Sequence, residues 1–269
     1  MRQTLRSITI GVTTCLALIG ATIPTASAVI FDQVVLGSDA IWLAGRSDIV
    51  VPPASDPWPG GLLRHPGPTP EEIQETAPPV FSVTAGDVIR VADPVDGAIS
   101  FFNGFGGVVY GPEGNGLPGT SQLGSFGGIS SYIGTEGALV GLFLNDDIPN
   151  GAAPAALNFS TVGVDPLGID FLTLMPGLGQ VFFIGNGVTS GGDFQEFIAP
   201  AGATRFFLGV PDGFGFNGAP GAYDDNDGSY RVRLGINEIP TIPEPATVAL
   251  LGAAVAGLAA SRRRSKRAW

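Results

Sequence analysis

Oxygen-bearing side chains are concentrated in one stretch of the chain, between residues 212 and 229. Asp212 follows an apolar segment, and after a glycine-rich excursion the sequence Tyr-Asp-Asp-Asn-Asp-Gly runs from Tyr223 to Gly228. Carboxylate and amide oxygens are the ligands that Ca²⁺ prefers, and the ion takes about six to eight of them at ~2.3–2.6 Å in a flexible geometry. These residue types at this spacing therefore predict a site for one calcium ion.

The spacing differs from that of an EF-hand loop. If Asp225, Asp227 and Gly228 took the third, fifth and sixth loop positions, Leu234 would stand where the bidentate glutamate belongs. The alternative is a solvated turn, because Asp, Asn and Gly also cluster where polar side chains only satisfy their own backbone. The residues alone leave both interpretations open.

Two strands must hold the ends of this loop, one over Ala203–Val210 and one over Ser229–Ile236. Short segments of the same kind, rich in Val, Ile, Phe and Leu, recur between Gly, Pro and Asn residues. The others are Val29–Leu36, Pro79–Val83, Asp87–Ala92, Ala98–Phe102, Val108–Tyr110, Gly137–Leu144, Gln180–Gly185 and Asp193–Ile198. Brief strands separated by turns predict an all-β fold, a sandwich or a barrel.

Helices are expected only at the two hydrophobic ends of the chain, because it contains 41 Gly and 23 Pro. Residues 52–79 include nine prolines. We predict that they form a long surface loop, with at most one helical turn near Glu71–Glu75, inside a single exported domain of residues 29–242.

The N-terminal 28 residues have the layout of a secretory signal peptide. Arg2 and Arg6 precede an apolar stretch from Ile8 to about Ala21, and the small residues Ala26 and Ala28 frame a cleavage site. We expect export by the Sec machinery and a mature chain that starts at Val29. Cys15, the only cysteine, is lost with the signal, which excludes disulfides and thiolate metal sites from the mature protein.

The C-terminal residues 243–269 have three parts in a fixed order. The tripeptide Pro243, Glu244, Pro245 precedes an uncharged, mostly apolar run over Ala246–Ala260, and a basic cluster follows it: Arg262, Arg263, Arg264, Lys266 and Arg267. As a helix the 15-residue run is about 22 Å long, short of the ~30 Å hydrocarbon core. The basic cluster stays cytoplasmic and sets the orientation, so the run predicts a transient membrane helix.

This tail closely resembles the PEP-CTERM sorting signal, which an exosortase in the membrane is thought to cut near the Pro-Glu-Pro motif. The resemblance implies a protein that is briefly anchored in the membrane, processed, and then left on the outer surface or in the extracellular matrix. The alternative is an ordinary short membrane helix.

The net charge of the predicted mature chain excludes some classes of binding partner. Without the signal and the tail, the chain has 23 acidic and 6 basic residues, a net charge of −17, and no lysine. Phosphate binding needs clustered Lys and Arg, so nucleic acid is excluded as a partner. An acidic exterior repels other polyanions unless divalent cations bridge them, which again favours calcium.

Residues 79–236 resemble the galactose-binding-like β-sandwich of small calcium-dependent bacterial lectins. Four segments occur in the same order as in that family: Val83–Ile89, Tyr110–Gly114, Gly137–Val140 and Asp212–Ser229. The resemblance implies an antiparallel sandwich of jelly-roll type. The calcium ligands that it implies are the Tyr110 carbonyl, the Asp212 carboxylate, the Ala222 carbonyl and the side chains of Asp225 and Asn226.

The sequence departs from these lectins where they select a sugar. The stretch Asn115–Ser131 lacks the family's histidine, and Gln122 is its only comparable side chain. Asp224 and Asp227 are possible further ligands that would close the calcium shell. Phe214 and Phe216 could stack on a sugar face, but phenylalanine in a β protein more often belongs to the core.

No catalytic arrangement emerges from the sequence. His65 is the only histidine and lies in the proline-rich segment, whereas a Ser-His-Asp triad needs a buried, oriented histidine. We therefore expect a calcium-binding surface protein of the extracellular polysaccharide layer that is not an enzyme. It either binds glycans or serves as a structural or adhesive matrix protein, and glycan hydrolysis by paired carboxylates is a remote third option.

Overall fold

The computed structural model describes residues 28–53, 73–102 and 107–238. This part of the chain is mostly β structure in largely antiparallel sheets, with almost no helix, an architecture consistent with the predicted sandwich. The twelve strands are β1 (Val29–Leu36), β2 (Val80–Ser82), β3 (Val88–Ser100), β4 (Ser121–Leu123), β5 (Tyr132–Gly134), β6 (Val140–Leu144), β7 (Thr173–Leu174), β8 (Val181–Phe183), β9 (Glu196–Ile198), β10 (Arg205–Gly209), β11 (Asn217–Gly218) and β12 (Asp227–Ile236). Short 3-10 turns occupy Ile41–Leu43, Phe214–Phe216 and Tyr223–Asp225.

The largest sheet joins the first and last strands of the domain. Its order is β1-β12-β3-β9-β7, and β1 pairs antiparallel with β12 from Val29 opposite Ile236 to Leu36 opposite Ser229. Inward-facing residues such as Val35, Tyr230 and Val232 are buried, and the intervening residues face solvent. This alternation is the expected signature of a sheet with one face in the core.

A four-stranded sheet, β2-β10-β6-β8, supplies the other side of the core. Rings from the two sheets meet: the Phe31 and Phe81 centroids are 5.2 Å apart, and those of Phe182 and Phe197 are 5.3 Å apart. Aromatic pairs at these distances contribute about 0.5–1.5 kcal/mol beyond the area they bury. A small third sheet, β11-β4-β5, lies beside the loop that precedes β12.

Most strand predictions are confirmed within three residues, but two predicted segments join into one strand and a third forms no strand. The segments Asp87–Ala92 and Ala98–Phe102 belong to one strand, β3, which continues through Pro94. The pairing with β12 shifts register between Arg231 and Leu234, and this bulge absorbs the proline, which cannot donate a ladder hydrogen bond. Val108–Tyr110 forms only an isolated bridge to β3 through Tyr110.

Four short strands, β4, β5, β7 and β11, have no counterpart in the predictions. Each is two or three residues long. A segment of this length contains too few residues to show a period of two, so its pairing depends on tertiary neighbours.

Several predictions concern residues outside the described ranges. These are the signal peptide with Ala26, the apolar C-terminal helix, the Pro243–Pro245 motif and residues 54–72 of the proline-rich segment. Among the described residues, no helix has the length and apolar character needed to cross a membrane.

Candidate metal centre

The loop that joins β10 to β12 is closed by its own hydrogen bonds. The Gly221 N–H donates to the Asp212 carbonyl oxygen at 3.0 Å, so the two ends of the glycine-rich excursion meet. The Tyr223 hydroxyl donates to the Val210 carbonyl at 2.8 Å and accepts from the Asp212 N–H at 3.2 Å. Burial raises the pKa of this hydroxyl well above its usual value, so it stays protonated and keeps the loop on the end of β10.

Three side-chain oxygens in this loop are buried without a hydrogen-bond partner. They are Asp212 Oδ2, Asp225 Oδ1 and Asn226 Oδ1. The three residues are 3%, 5% and 2% exposed. Buried polar atoms are almost always paired, and leaving one unpaired costs about 1–3 kcal/mol, more for a charged group. These three oxygens are therefore the candidate donors of the loop for a cation.

Asn226 is held in one orientation by the turn that follows β1, at the same end of the sheet. Its Nδ2 donates to the Gly37 carbonyl at 2.9 Å, in the turn that follows β1. Two carbonyl oxygens would repel each other, so the amide cannot be flipped, and Oδ1 must face away from Gly37. The amide oxygen is therefore oriented before any ion arrives.

The backbone before the acidic triplet is strained. Ala222 lies in the left-handed region with φ 62° and ψ 26°, where its Cβ approaches the following carbonyl. This conformation costs about 1–2 kcal/mol for a residue other than glycine. Strain of this kind persists where the surrounding structure requires it, and it is concentrated at binding sites.

The carboxylates of this loop are too close together to be ionised without cost. Burial raises the pKa of Asp212 well above its usual value, and the negative charges of Asp225 and Asp224 raise it further, while the Asn226 side chain and the Gly213 N–H oppose the shift. Burial, followed by the charges of Asp224 and Asp227, raises the pKa of Asp225 to about 7. No ion pair in the described ranges includes Asp212 or Asp225.

A hard divalent cation would relieve both problems at once. It would coordinate the unpartnered oxygens and neutralise the carboxylates, and calcium accepts carboxylate, amide and backbone oxygens together. Across residues 28–53, 73–102 and 107–238, no three histidine, cysteine, aspartate or glutamate side chains form a metal-binding group. Asp212, Asp225 and Asn226 would offer two carboxylate oxygens and one amide oxygen, the hard donors that calcium prefers.

The remaining predicted ligands are less well placed. The Tyr110 carbonyl accepts hydrogen bonds from the Ile99 N–H at 3.0 Å and the Tyr230 hydroxyl at 3.3 Å, so its lone pairs are already engaged. The Asp224 carbonyl accepts from the Ile73 N–H at 2.9 Å. Asp227 begins β12 opposite Ser100. Ala222 is buried and directly precedes Tyr223 and the acidic triplet.

The two phenylalanines of the excursion have different surroundings. Phe216 is 3% exposed, and its ring packs against those of Phe101, Phe102 and Tyr110 at centroid distances of 5.4, 6.0 and 6.2 Å. Phe214 is 56% exposed. Phe216 is therefore a core residue, whereas Phe214 lies at the surface. Gln122 lies on β4 beside β11, with its side chain exposed.

Two residues that orient the site were missed from the sequence. Tyr223 braces Asp212 through its hydroxyl, and Gly37 orients Asn226 through its carbonyl, 189 positions away along the chain. A tyrosine directly before an acidic triplet is a weak sequence signal for the role of Tyr223. No sequence feature near Gly37 signals its role, because that role depends on the pairing of β1 with β12.

Comparison with known proteins supports one part of this picture. Residues 241–264 match the family model of the PEP-CTERM protein-sorting motif. Neither the curated proteins nor the solved structures include a significant match to this chain, so the resemblance to calcium-dependent lectins is shown by no relative. The chain thus carries a PEP-CTERM sorting motif, the signal of proteins that are exported and processed by an exosortase at the cell surface.

Proposed function

We propose that this chain is a structural or adhesive protein of the extracellular polysaccharide layer whose β domain is stabilised by one buried calcium ion. The observation that supports calcium is the set of three unpartnered, buried oxygens on Asp212, Asp225 and Asn226. The sorting motif supports the location on the outer surface or in the matrix, after Sec export and a transient anchorage in the membrane.

A structural role is favoured over sugar binding because the donor oxygens are enclosed. A lectin in which calcium binds the sugar must present open coordination positions to vicinal hydroxyls, which requires an ion at the surface. Here the three donor residues are nearly inaccessible, and the ring of Phe216 is buried in the same loop. Sugar binding remains the second candidate function, favoured by the exposed ring of Phe214 beside this loop.

The fold supports a galactose-binding-like jelly roll as part of the proposal. Two antiparallel sheets pack through aromatic rings, and the acidic loop connects β10 of one sheet to β12 of the other. The proposal assigns no catalysis to the chain. Its partners are the exosortase during export and matrix glycans afterwards.

Calcium dependence of unfolding tests the proposal. Extracellular modules bind calcium with Kd of about 10⁻⁴–10⁻³ M, and an ion at ten times its Kd adds about 1.4 kcal/mol of stability. The exported protein should therefore unfold at a higher temperature in calcium than in chelator. Asp225→Asn should abolish the calcium shift while leaving the chelator midpoint equal or higher, because it removes a buried negative charge.

The matched control is Asp165→Asn, which removes an exposed carboxylate far from this loop in the sequence. It should retain the whole calcium shift. If the unfolding midpoint of the unsubstituted protein were the same in calcium and in chelator, the loop would have to be interpreted as a polar turn and not as a calcium site.

The number of waters on the bound ion separates the two candidate functions. Europium replaces calcium at oxygen sites, and its luminescence lifetimes in H₂O and D₂O count the coordinated waters. A closed structural site should hold about one water or none, whereas an open lectin site should hold at least about two. Calorimetry of the calcium-loaded protein with neutral hexoses should show no calcium-dependent heat, and millimolar binding would favour the lectin.

Processing is tested separately. Mass spectrometry of the natively exported protein should find a C-terminus near Pro243–Pro245, without Arg262–Trp269. An intact Trp269 would contradict exosortase cleavage and leave a short membrane anchor.

A further inference from the structure

The outer edge of β1 is open along most of its length. β1 is the terminal strand of the five-stranded sheet, and its eight residues pair only with β12. In the described part of the chain, the other hydrogen bonds of β1 are few. The Leu36 N–H donates to Asp39 Oδ2 at 2.7 Å, the Asp39 N–H donates to the Leu36 carbonyl at 3.0 Å, and the Gln33 side chain donates to the Val34 carbonyl at 2.6 Å.

The direction of the free groups follows from the bonds of Leu36. Both of its backbone groups bond to Asp39, so they point away from β12. Residues of an antiparallel strand alternate in the edge to which their N–H and C=O point. The backbone groups of Ile30, Asp32 and Val34 therefore point to the same open edge.

The side chains of β1 do not protect this edge. Its sequence, Val-Ile-Phe-Asp-Gln-Val-Val-Leu, contains one charge and no lysine or proline. Ile30, Val34 and Leu36 are 41%, 46% and 45% exposed. Soluble proteins usually guard edge strands with lysine, proline or a bulge, and an apolar, regular, open edge is a template for another strand.

We propose that this edge pairs antiparallel with β1 of a second copy of the chain, giving a symmetric dimer with one continuous ten-stranded sheet. The proposal is independent of calcium. Because each copy has one such edge, the contact is isologous and ends at two copies.

Charge selects the register of the pair. Residues opposite each other must face the same side of the sheet, so the two-fold axis of the dimer must pass through a residue position. Among the central positions of β1 these are Asp32 and Gln33. An axis at Asp32 would place the two carboxylates opposite each other, which is destabilising. An axis at Gln33 instead places Asp32 opposite Val34 of the second copy, with about four backbone hydrogen bonds between them.

This register also uses a cation that is otherwise unpaired. Arg231 lies opposite Val34 on β12 and forms no ion pair among the described residues. Two strand spacings, roughly 9.6 Å, would separate its backbone from that of Asp32 in the second copy. The long arginine side chain covers most of that distance. Asp32 already lies 3.9 Å from Arg233 of its own chain, so each copy offers a second arginine to the other's aspartate.

The association of the naturally processed protein tests the proposal. Sedimentation or light scattering at physiological ionic strength, across about a hundredfold range of concentration, should show a monomer–dimer equilibrium. Val34→Pro removes only an N–H that points to the open edge and fits an edge strand, so the dimer should be lost. The control Val164→Pro alters a residue that is 83% exposed on a distant loop and should keep the dimer.

Two further variants keep the test decisive if Val34→Pro lowers the unfolding midpoint. Asp32→Arg and Arg231→Asp should each raise the dimer Kd about tenfold or less, and the double variant should restore it. Gln33→Cys, in a mature chain without other cysteines, should form a disulfide-linked dimer, because the two Cα atoms at the axis would be about 4.5 Å apart. A monomer at every concentration, or a dimer that persists in stable Val34→Pro, would overturn the proposal.

Discussion

Two loops of this domain contain nearly the same polar triplet in opposite circumstances. Asn145-Asp146-Asp147 follows β6, and Asp224-Asp225-Asn226 precedes β12. Composition does not distinguish them, since both consist of one amide and two carboxylates at the end of a strand. In the structure the first is a satisfied surface turn and the second is a buried cluster with unpartnered oxygens.

The first triplet satisfies its own polar groups. Asn145 Nδ2 donates to Asp147 Oδ2 at 2.7 Å, and the Asp147 N–H donates to Asn145 Oδ1 at 3.1 Å. Thr204 Oγ1 donates to Asp146 Oδ1 at 2.7 Å, and the Arg205 guanidinium donates to the Asn145 and Asp147 carbonyls. A cation from the protein is already present here, and both carboxylates are exposed.

The side chains of the second triplet are bonded differently. Its amide donates to the Gly37 carbonyl, and one oxygen each of Asp225 and Asn226 is buried without a bond. The difference lies in burial and in how the side-chain oxygens are bonded, and neither is a property of the triplet itself. A polar triplet is therefore a candidate metal site only when the fold buries it and leaves oxygens without a hydrogen bond.

The largest difference in unfolding free energy between the two loops is expected when their asparagines are replaced. Asn226→Ala leaves the buried Gly37 carbonyl without a donor, which costs about 1–3 kcal/mol, and it also removes an oxygen that we assign to the ion. The total loss in calcium should be roughly 2–4 kcal/mol, whereas Asn145→Ala should change the unfolding free energy by less than about 1 kcal/mol. Denaturant unfolding in calcium and in chelator measures both.

Equal losses for Asn226→Ala and Asn145→Ala would remove the distinction between the loops. A loss for Asn226→Ala that is the same with and without calcium would confine the role of Asn226 to its bond with Gly37.

A smaller loss of stability and of calcium affinity is expected for Gly37→Ala, which crowds Asn226 but replaces no proposed ligand. A Cβ at Gly37 would lie 3.0 Å from Asn226 Cβ and 3.0 Å from Ile99 Cγ2. Gly37→Ala should therefore displace the asparagine, cost about 1–3 kcal/mol and weaken calcium binding measured by calorimetry. Gly151→Ala, near the first triplet, meets nothing within 4 Å and should leave both quantities unchanged. Unaltered calcium affinity in Gly37→Ala would show that the amide orientation does not matter.

A third difference is a pH dependence that only the buried triplet should show. The pKa of Asp225 is about 7 when folded, against an ordinary value of about 4 when unfolded. The folded state therefore binds the proton more tightly, and in chelator the contribution of Asp225 to stability is lost as the pH rises from about 4 to about 7. Calcium competes with the proton, so in calcium the trend should weaken or reverse.

Comparison of the unsubstituted protein with Asp225→Asn isolates this dependence from other titrating groups. In chelator, the difference in unfolding free energy between the two should grow with pH over this window and level off above it. Asp147→Asn should give no such difference. A pH-independent difference for Asp225→Asn would mean that its carboxylate titrates normally and is not enclosed.

The sequence predicted the strands that frame the site well, for a local reason. Val29–Leu36 is confirmed residue for residue as β1, and β10 and β12 differ from their predictions by two residues at most. These strands are long enough for alternating burial to be visible in the residue types. The two-residue strands β7 and β11 were invisible, since they exist only through their neighbours.

Within the site, residue types were predictable and their surroundings were not. Asp212, Asp225 and Asn226 were predicted as ligands from chemistry and resemblance, and the structure places all three in one loop with buried side chains. The engagement of the Tyr110 carbonyl by Ile99 and Tyr230 could not be foreseen, because it depends on a bridge between distant segments. The role of Gly37 depends on the pairing of the first strand with the last.

That pairing has a consequence for the order of events during export. β1 emerges first from the translocation channel, but its only partner strand in the described domain, β12, emerges about two hundred residues later. The largest sheet therefore cannot close while the chain is in transit, and early segments stay unfolded, as passage through a narrow channel requires. Completion of this sheet therefore falls outside the membrane, after the acidic loop has left the channel.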